Sequence, residues 1–290
     1  MQKDWEGTKK QLRDNLRSLQ GGELLWQKLQ GRVYGICMSQ ATMFPGVSQF
    51  LMRCKNRGNT VFIVSHKTEF GHYDPTKTSL RIAALDWMKS NGFFKKERFG
   101  LSKDHVFFEK TCKEKVKRIS SLDLDVFVDD LEEVFMEDDF PDINKILFGK
   151  TYEGSNYSIL CENWNDITNE VLGPITNEEC KELAQSILDE NVSEVRKLEG
   201  RGNSRIYRVV TQSKQIYALK NYPDLLIDSR NRLQTEVQSF RFLEDFYLTP
   251  KVVAFDVDLN MALYEWIEGK PLTIIENEHV DQVDQDHRVF

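Results

Sequence analysis

The sequence contains few cysteines, and their spacing excludes the sites that cysteine usually builds. Five are spread over 290 residues, at Cys37, Cys54, Cys112, Cys161 and Cys180, and no two form a C-x-x-C pair. An odd number without close pairs argues against a disulfide framework and against a zinc site. We therefore expect isolated, reduced thiols, which are typical of a cytoplasmic protein.

Long apolar runs and an excess of basic charge are also missing. No run approaches the roughly 20 apolar residues that span a bilayer. The polar start of the chain, MQKDWEGTKKQLRDNL, lacks the apolar core of a signal peptide. The formal net charge is −7 at pH 7, whereas a surface that binds nucleic acid is normally basic. We therefore predict neither a membrane nor a nucleic-acid partner, and the oligomeric state stays open.

The apolar patterns divide the chain into two kinds of sheet. At roughly 150 residues per domain, the length indicates two domains. In the first part, the apolar strands VFIV, HVFFE, LDVFVDD and KILF alternate with helices, which predicts a parallel α/β sheet. Later the order becomes β-β-β-α-β-β, which is typical of an antiparallel sheet. We predict domains at 1–150 and 191–290, joined by a helical linker at 151–190.

Polar side chains follow two of the predicted parallel strands. Ser65 follows VFIV, and Asp129 and Asp130 follow the strand DVFV. Because ligands bind beyond the carboxyl ends of parallel strands, we expect these residues at one rim of the sheet. Lys115 lies in the helix TCKEKVKRI between them. A hydroxyl can bind phosphoryl oxygens, a lysine can neutralise developing negative charge, and paired carboxylates can bind Mg2+.

Each of these residues also has a plain structural explanation. Ser65 could cap a turn, Lys115 could be a surface lysine, and the two aspartates could cap the helix that starts at 131. Taken together and in this order, the residues favour a phosphate site.

The set resembles the haloacid-dehalogenase-like (HAD) superfamily of phosphohydrolases. VFIVSHKT is similar to the second motif of that family, TCKEKVKRI to the third and VFVDDLEEVF to the fourth. The resemblance implies a HAD-like Rossmannoid parallel sheet with helices on both faces, and a small phosphate ester as substrate. It also implies catalytic roles for Ser65, which would bind phosphate, and Lys115, with Asp129 and Asp130 as magnesium ligands.

The nucleophile of that family has no counterpart in the sequence. It is the first aspartate of a D-x-D motif on an upstream apolar strand, whereas Asp4 and Asp14 lie in polar helical segments. Without the nucleophile and the acid/base aspartate, we expect phosphate binding with little turnover. The missing strand would also expose a position in the sheet. Asp256 and Asp258 imitate the motif in VVAFDVDLN, but we interpret them as a turn between two strands.

A Gly-rich turn, a strand lysine and a helix glutamate follow one another in the second half. Lys220 lies within the apolar strand YALKNY, where an ammonium is costly without a partner, and Glu236 in the next helix is the natural partner. This order of elements is typical of the nucleotide-binding lobe of a kinase. A plain hairpin with a snorkelling lysine is the alternative. The turn residues that could approach or donate to a phosphate are Gly200, Gly202, Asn203 and Ser204.

The pattern is similar to the aminoglycoside/choline phosphotransferase branch of kinase-like folds. The matching positions are Leu198, Gly200, Asn203, Tyr207, Val209, Lys220, Glu236, Phe240, Leu243, Pro250 and the segment YEWIEGKPL. The resemblance implies an α+β kinase-like N-lobe with an antiparallel sheet and ATP as cofactor. Lys220 would contact the α- and β-phosphates, Glu236 would orient it, and Glu265 and Ile267 would lie in the segment that meets adenine. The catalytic H-x-D-x-x-x-x-N loop is not matched, because EHVDQVDQDH has an aspartate in place of the asparagine.

The sequence therefore predicts a phosphoryl-transfer protein, interpreted as the inner portion of a longer chain. A HAD-like phosphohydrolase domain would be fused to an ATP-dependent kinase for a small hydroxyl or amino compound. Because both catalytic sets are incomplete, whether this chain is itself an enzyme stays open. A non-catalytic module that binds phosphate or nucleotide and regulates a partner is the alternative, and a plain scaffold is the third interpretation.

Overall fold

The computed structural model describes residues 9–73, 75–149, 159–199, 204–223 and 228–269. In chain order the helices are α1 (Lys9–Arg17), α2 (Gly22–Tyr34), α3 (Val47–Asn56), α4 (Leu80–Ser90), α5 (Cys112–Ser120), α6 (Glu132–Phe135), α7 (Trp164–Leu172), α8 (Asn177–Leu188) and α9 (Arg232–Leu243). The strands are β1 (Ile63–His66), β2 (Val106–Glu109), β3 (Val126–Asp129), β4 (Asn144–Phe148), β5 (Ile159–Cys161), β6 (Val192–Lys197), β7 (Arg205–Thr211), β8 (Ile216–Asn221), β9 (Val252–Asp256) and β10 (Met261–Glu265). The result is a mixed α/β chain with parallel and antiparallel sheets.

The described residues form two compact units. The first comprises 9–43, 60–148 and 159–160, and the second comprises 44–59, 149 and 161–269. The parallel strands β1 to β4 therefore belong to the first unit, and the antiparallel sheet belongs to the second.

Parallel pairing in the first unit is confirmed. β1 pairs in parallel with β2, and β3 pairs in parallel with β4, while β5 extends the second sheet in the order β3-β4-β5. Within the described ranges, β1 and β3 each have a strand partner on one side only. The described strands of this unit thus form two separate sheets, each of which contains one parallel pair.

The core of the first unit joins the two sheets through α5. Thr111 and Glu114 form a capping box that starts this helix after β2. Its buried face carries Val116 and Ile119, each 1% exposed. These two side chains cluster with Val64, Phe127, Val134, Phe135 and Leu147, which come from β1, β3, α6 and β4. Full burial of each such side chain stabilises the fold by about 1.5–3 kcal/mol.

One local prediction in the first unit is wrong. The apolar run predicted a strand that ends before Ser65, but β1 continues through Ser65 to His66, and Ser65 stands opposite Phe108 in the ladder. Apolarity marks burial rather than strand length, and backbone pairing with β2 extends the strand over the polar residues.

The second unit has the predicted β-β-β-α-β-β order, and its five-stranded sheet is antiparallel, as β6-β7-β8-β10-β9. Ile206 and Ala262 lie on either side of Lys220 in the registers of β7 and β10 with β8. The core against α9 is formed by Tyr222, Leu233, Val237, Ala262 and Tyr264.

Three helices that the sequence placed elsewhere pack within the second unit. The pattern assigned α3 to the domain at 1–150 and described α7 and α8 as a linker, but all three belong to the second compact unit. Arg53 on α3 is 2% exposed and donates from Nε and Nη2 to the Glu179 carboxylate of α8, at 2.9 and 3.0 Å. These residues are 126 positions apart, so no local pattern could reveal the contact.

The state of the cysteines agrees with the composition. All five thiols are free, and burial raises the pKa of Cys54, Cys161 and Cys180 to about 11. They are therefore protonated at neutral pH. In the part of the chain that the structure describes, no helix combines the length and the apolarity that crossing a bilayer requires.

Candidate functional site

A lysine–glutamate ion pair lies between the sheet and the helix of the second unit. The Lys220 ammonium donates to both carboxylate oxygens of Glu236, at 2.8 and 2.6 Å. The two side chains are 23% and 24% exposed. A snorkelling lysine would place its charge in water without this two-point contact. The pair is thus held by the fold and is open to a ligand from solvent.

The local sequence explains why Glu236 faces the sheet. On α9, the positions Leu233, Glu236, Val237 and Phe240 follow the i, i+3, i+4, i+7 spacing of a core-facing stripe. Leu233 and Val237 are buried. A carboxylate on such a stripe requires a charged partner, and Lys220, on the facing strand β8, supplies it.

Two buried tyrosines adjoin the ion pair. The hydroxyls of Tyr222 and Tyr264 are 2.5 Å apart and hydrogen-bonded. The Lys220 ammonium lies 4.9 Å from the centroid of the Tyr222 ring, within the range of a cation–π contact. Burial raises the pKa of Tyr264 to about 12 and that of Tyr222 still further. Both phenols are therefore neutral at physiological pH.

The Gly-rich turn falls mostly outside the described residues. Gly200, Gly202 and Asn203 lie in that undescribed stretch, whereas Ser204 is half-buried directly before β7. The register pairs Ile206 with Lys220. The chain therefore leaves the turn beside the lysine, although no hydrogen bond of the Ser204 side chain to another described residue is present.

The segment expected to meet adenine begins at the end of β10 and continues beyond it. The backbone N–H of Glu265 donates to the Lys251 carbonyl at 2.9 Å, and the Glu265 carboxylate accepts from the Lys251 N–H at 3.3 Å. Glu265 is thus engaged within the sheet. Ile267 lies beyond the strand, and its N–H makes no hydrogen bond with another described residue.

In the first unit, Lys115 and Asp129 form a buried ion pair. The Lys115 ammonium contacts Oδ2 of Asp129, and the two residues are 6% and 8% exposed. The other carboxylate oxygen of Asp129 accepts from the Leu131 N–H at 3.0 Å. Burial raises the pKa of Asp129, while Lys115 and the Leu131 N–H act in the opposite direction.

Ser65 and Asp130 do not join this pair. Val64 packs into the α5 core cluster, and because successive side chains of a strand alternate in direction, Ser65 lies on the other face of β1. Asp130 is exposed, and its carboxylate pairs with the Lys9 ammonium at 4.0 Å. The predicted set of four is therefore divided, because side chains one position apart leave a strand on opposite faces.

The described residues do not provide the predicted magnesium site. Both oxygens of Asp129 already have partners, and Asp130 is directed to Lys9. Across those residues no group of three or more histidine, cysteine, aspartate or glutamate side chains could hold a metal ion. The arrangement fits a buried structural pair better than a magnesium centre.

The aspartates that imitate a D-x-D motif lie in a turn, as predicted. β9 ends at Asp256 and β10 begins at Met261. The Asp256 carboxylate accepts from the Leu259 N–H at 2.9 Å, and Asn260 has a positive φ of 52°. This is the chemistry of a tight turn.

Sequence reasoning missed the position of Tyr222 beside the ion pair. It stands two positions after Lys220 in YALKNY, and residues at i and i+2 share one face of a strand. That spacing was the available signal. The hydroxyl contact with Tyr264, 42 positions later, could not be read from the sequence.

Comparisons with known proteins give little. No family model matches the chain, and no curated protein matches it. Among solved structures it is similar to one from Thermobifida fusca, described as a candidate fructosamine-3-kinase, with 18% identity and a TM-score of 0.27. The match covers 32% of this chain and 32% of that one, so the chain spans less than a third of that protein. A likeness of this extent carries no argument about function.

Proposed function

We propose that the second unit binds ATP as the nucleotide lobe of a kinase-like phosphotransferase for a small hydroxyl or amino compound. The observation that carries the proposal is the Lys220 ammonium held by both oxygens of Glu236 and partly open to solvent. A cation held in place before the ligand arrives can meet phosphate oxygens without further reorganisation.

The residues present fit ATP in three places. Lys220 would contact the α- and β-phosphates, and the polar Ser204 stands where the Gly-rich turn rejoins the sheet. The backbone beyond Glu265, including the N–H of Ile267, offers hydrogen-bonding groups for adenine. ATP would supply the phosphoryl group, and the residues of this chain would bind and orient it.

Thermal denaturation with and without Mg–ATP tests the proposal. A ligand at 100 times its Kd stabilises the folded state by about 2.7 kcal/mol, so the melting temperature of the unchanged chain is expected to rise. Lys220→Ala should abolish the rise. Lys251→Ala removes an exposed lysine that precedes β9 and should retain it. No rise for the unchanged chain, or a full rise for Lys220→Ala, would contradict a nucleotide lobe.

We also propose a second function, phosphate recognition by the first unit as a HAD-like domain. Its support is the motif resemblance together with the placement of Lys115 on α5 next to Asp129, at the carboxyl end of β3. Because the described residues supply neither a metal site nor the family nucleophile, no turnover is expected. Measurable hydrolysis of p-nitrophenyl phosphate that survives Asp129→Asn would show that this view of the acidic pair is wrong.

A non-catalytic regulatory module would bind Mg–ATP as a phosphotransferase does, but it would not transfer the phosphoryl group. Phosphoryl transfer from Mg–ATP to a panel of small hydroxyl and amino compounds distinguishes the two. Binding of Mg–ATP with transfer to none of the panel would favour the regulatory module. Transfer to one compound, abolished by Lys220→Ala, would favour the phosphotransferase and name its substrate class.

A further inference from the structure

A half-buried lysine that has no counter-charge among the described residues lies at the carboxyl end of β1. We propose that Lys67, together with Lys9, binds a phosphoryl group, and that the ring of Tyr34 holds both ammonium groups at this site. The inference rests on the phosphate recognition proposed for the first unit. It assigns the contact with the anion to these two lysines and not to Lys115, whose ammonium is paired with Asp129.

The backbone of Lys67 is fixed between two neighbouring elements. Its N–H donates to the Glu109 carbonyl of β2 at 2.9 Å, and its carbonyl accepts from Nε of Arg81 on α4 at 3.0 Å. Lys67 is the first residue after β1, and ligands of parallel sheets bind beyond the carboxyl ends of the strands. The lysine side chain therefore starts from a fixed point on the rim where a ligand is expected.

The ring of Tyr34 brings two ammonium groups together. The Lys67 ammonium lies 4.6 Å from the ring centroid and the Lys9 ammonium lies 5.9 Å from it, both within the range of a cation–π contact. Tyr34 is the last residue of α2. A methyl group at the next residue, Gly35, would lie 3.5 Å from the side chain of Leu80, so the end of α2 packs on the start of α4. The same helix thus supports the ring and the backbone of Lys67.

The neighbouring carboxylates do not neutralise both lysines. Lys9 pairs with Asp130 at 4.0 Å, and both side chains are more than half exposed. Glu69 pairs with Arg81, and no carboxylate of the described residues forms an ion pair with Lys67. Burial and the nearby charge of Lys9 lower the pKa of Lys67. An ammonium that is partly removed from water and lacks a partner is stabilised by an anion that binds beside it.

The donors at this rim suit a phosphoryl group better than a carboxylate. Two ammonium groups share one carboxylate, that of Asp130, which favours a ligand with more than one negative charge. Ser65 precedes Lys67 by two positions and therefore lies on the same face of the strand. Its hydroxyl is half-buried and makes no hydrogen bond with another described residue. One hydroxyl and two ammonium groups can donate to the terminal oxygens of a phosphate monoester.

Calorimetric titration of the full chain with inorganic phosphate, at constant ionic strength in chloride, tests the inference. Lys67→Gln should weaken the Kd by about tenfold, because it removes a hydrogen bond between two charged groups. Lys67→Arg keeps the charge and should bind within about threefold of the unchanged chain. Lys9→Gln should weaken the Kd by about threefold, because Lys9 is largely exposed and shared with Asp130.

Lys117→Gln is the matched control. Lys117 is exposed on α5, and its substitution removes the same charge from the same unit, so the Kd for phosphate should be unaltered. An equal loss of affinity in Lys117→Gln and Lys67→Gln would reveal a general effect of net charge and overturn the inference. Acetate carries a single charge and should bind about tenfold more weakly than phosphate. If acetate binds as tightly, the ligand class is wrong.

Acetylation by acetic anhydride gives a second measurement, which needs no variant. Inorganic phosphate at about ten times its Kd should slow the acetylation of Lys67 by about tenfold. The acetylation of Lys117 in the same sample should proceed at an unchanged rate. Equal rates at Lys67 with and without phosphate would overturn the inference, even if Lys67→Gln did not fold.

Failure of this site and failure of the proposed phosphate recognition give different results. If the unchanged chain binds phosphate and Lys67→Gln binds it equally tightly, phosphate recognition stands and the site at Lys67 is wrong. If the unchanged chain does not bind phosphate, the recognition proposed for the first unit itself fails, and this inference fails with it.

Discussion

Glu179→Gln should strongly destabilise the second unit at neutral pH. The Glu179 carboxylate accepts from Arg53 at 2.9 and 3.0 Å, from Arg57 at 2.8 Å, and from the Thr176 N–H at 2.9 Å. The substitution keeps the shape of the side chain but removes its charge. Arg53, 2% exposed, would then be a buried cation without a counter-charge, and breaking such a pair costs about 3–5 kcal/mol.

The pKa of Glu179 gives an independent magnitude. Burial would raise it, but the hydrogen bonds from Arg53 and Arg57 outweigh burial and lower the pKa from 4.5 to about 2. At about 1.4 kcal/mol per pKa unit, the ionised carboxylate stabilises the fold by about 3 kcal/mol. The pKa of Glu179 is lower in the folded state than in the unfolded state. The stabilisation by the ionised carboxylate is therefore fully present above pH 4.5 and is lost as the pH falls towards 2. By pH 3, about 2 kcal/mol of it should be gone.

Urea denaturation at pH 7, 5, 4 and 3 measures the effect. The free-energy difference between the unchanged chain and Glu179→Gln should be about 3 kcal/mol at pH 7 and 5, and should narrow to about 1 kcal/mol at pH 3. Glu178→Gln is the matched control on the same helix. Its side chain is 71% exposed and pairs with Lys181, so it should change the stability by less than about 0.5 kcal/mol at every pH.

Two results would refute this reasoning. One is a difference between the unchanged chain and Glu179→Gln that stays constant from pH 7 to 3, because the ionisation of Glu179 would then contribute nothing. The other concerns the double variant Arg53→Met/Glu179→Leu, which replaces both charges by apolar groups and should recover most of the lost stability. If it unfolds as readily as Glu179→Gln, the loss is one of packing and not of an unpaired charge.

Three further outcomes are expected from the same denaturation assay. Lys115→Met should lower the free energy of unfolding by about 3–5 kcal/mol, because it leaves the buried Asp129 charge unpaired. Adding Asp129→Leu should restore most of this stability. If it does not, Lys115 is needed for more than charge balance. Thr176→Ala should cost about 1 kcal/mol, because its hydroxyl accepts from the Glu179 N–H at the start of α8; no change would mean that the cap is not formed. Phe242→Ser should alter stability by less than about 0.5 kcal/mol, since Phe242 is 77% exposed; a large loss would reveal that this side chain is covered.

The sequence predicted most secondary structure because the signals are local. Gly21, with a positive φ of 70°, precedes α2, and Ser79 caps α4. The alternation of strands and helices also predicted parallel pairing in the first unit, and the change of order predicted the antiparallel sheet in the second. Strand ends were less well predicted, as Ser65 shows, because pairing with a neighbouring strand decides where a strand stops.

Tertiary grouping could not be predicted, because it depends on partners far apart in the chain. Helix α3 begins shortly after Pro45, and its apolar residues Phe50, Leu51 and Cys54 are buried, as a helical pattern of apolar residues indicates. The pattern did not say against what these residues pack. The ion pair between Arg53 and Glu179 lies within the second unit, and its two residues look like ordinary polar members of two unrelated helices.

The two candidate sites differ in how much of their geometry is local. Lys220 and Glu236 are 16 positions apart, on adjacent elements whose periodicities both direct them inward, so the spacing was enough to predict the contact. The first-unit set relied on Ser65 and Asp129 meeting at one rim, although β1 and β3 have no strand partner in common among the described strands. Two sheets that share a core but have no hydrogen-bonded strands in common do not fix the relative direction of their side chains. The lysine–glutamate pair is therefore the firmer basis for a function.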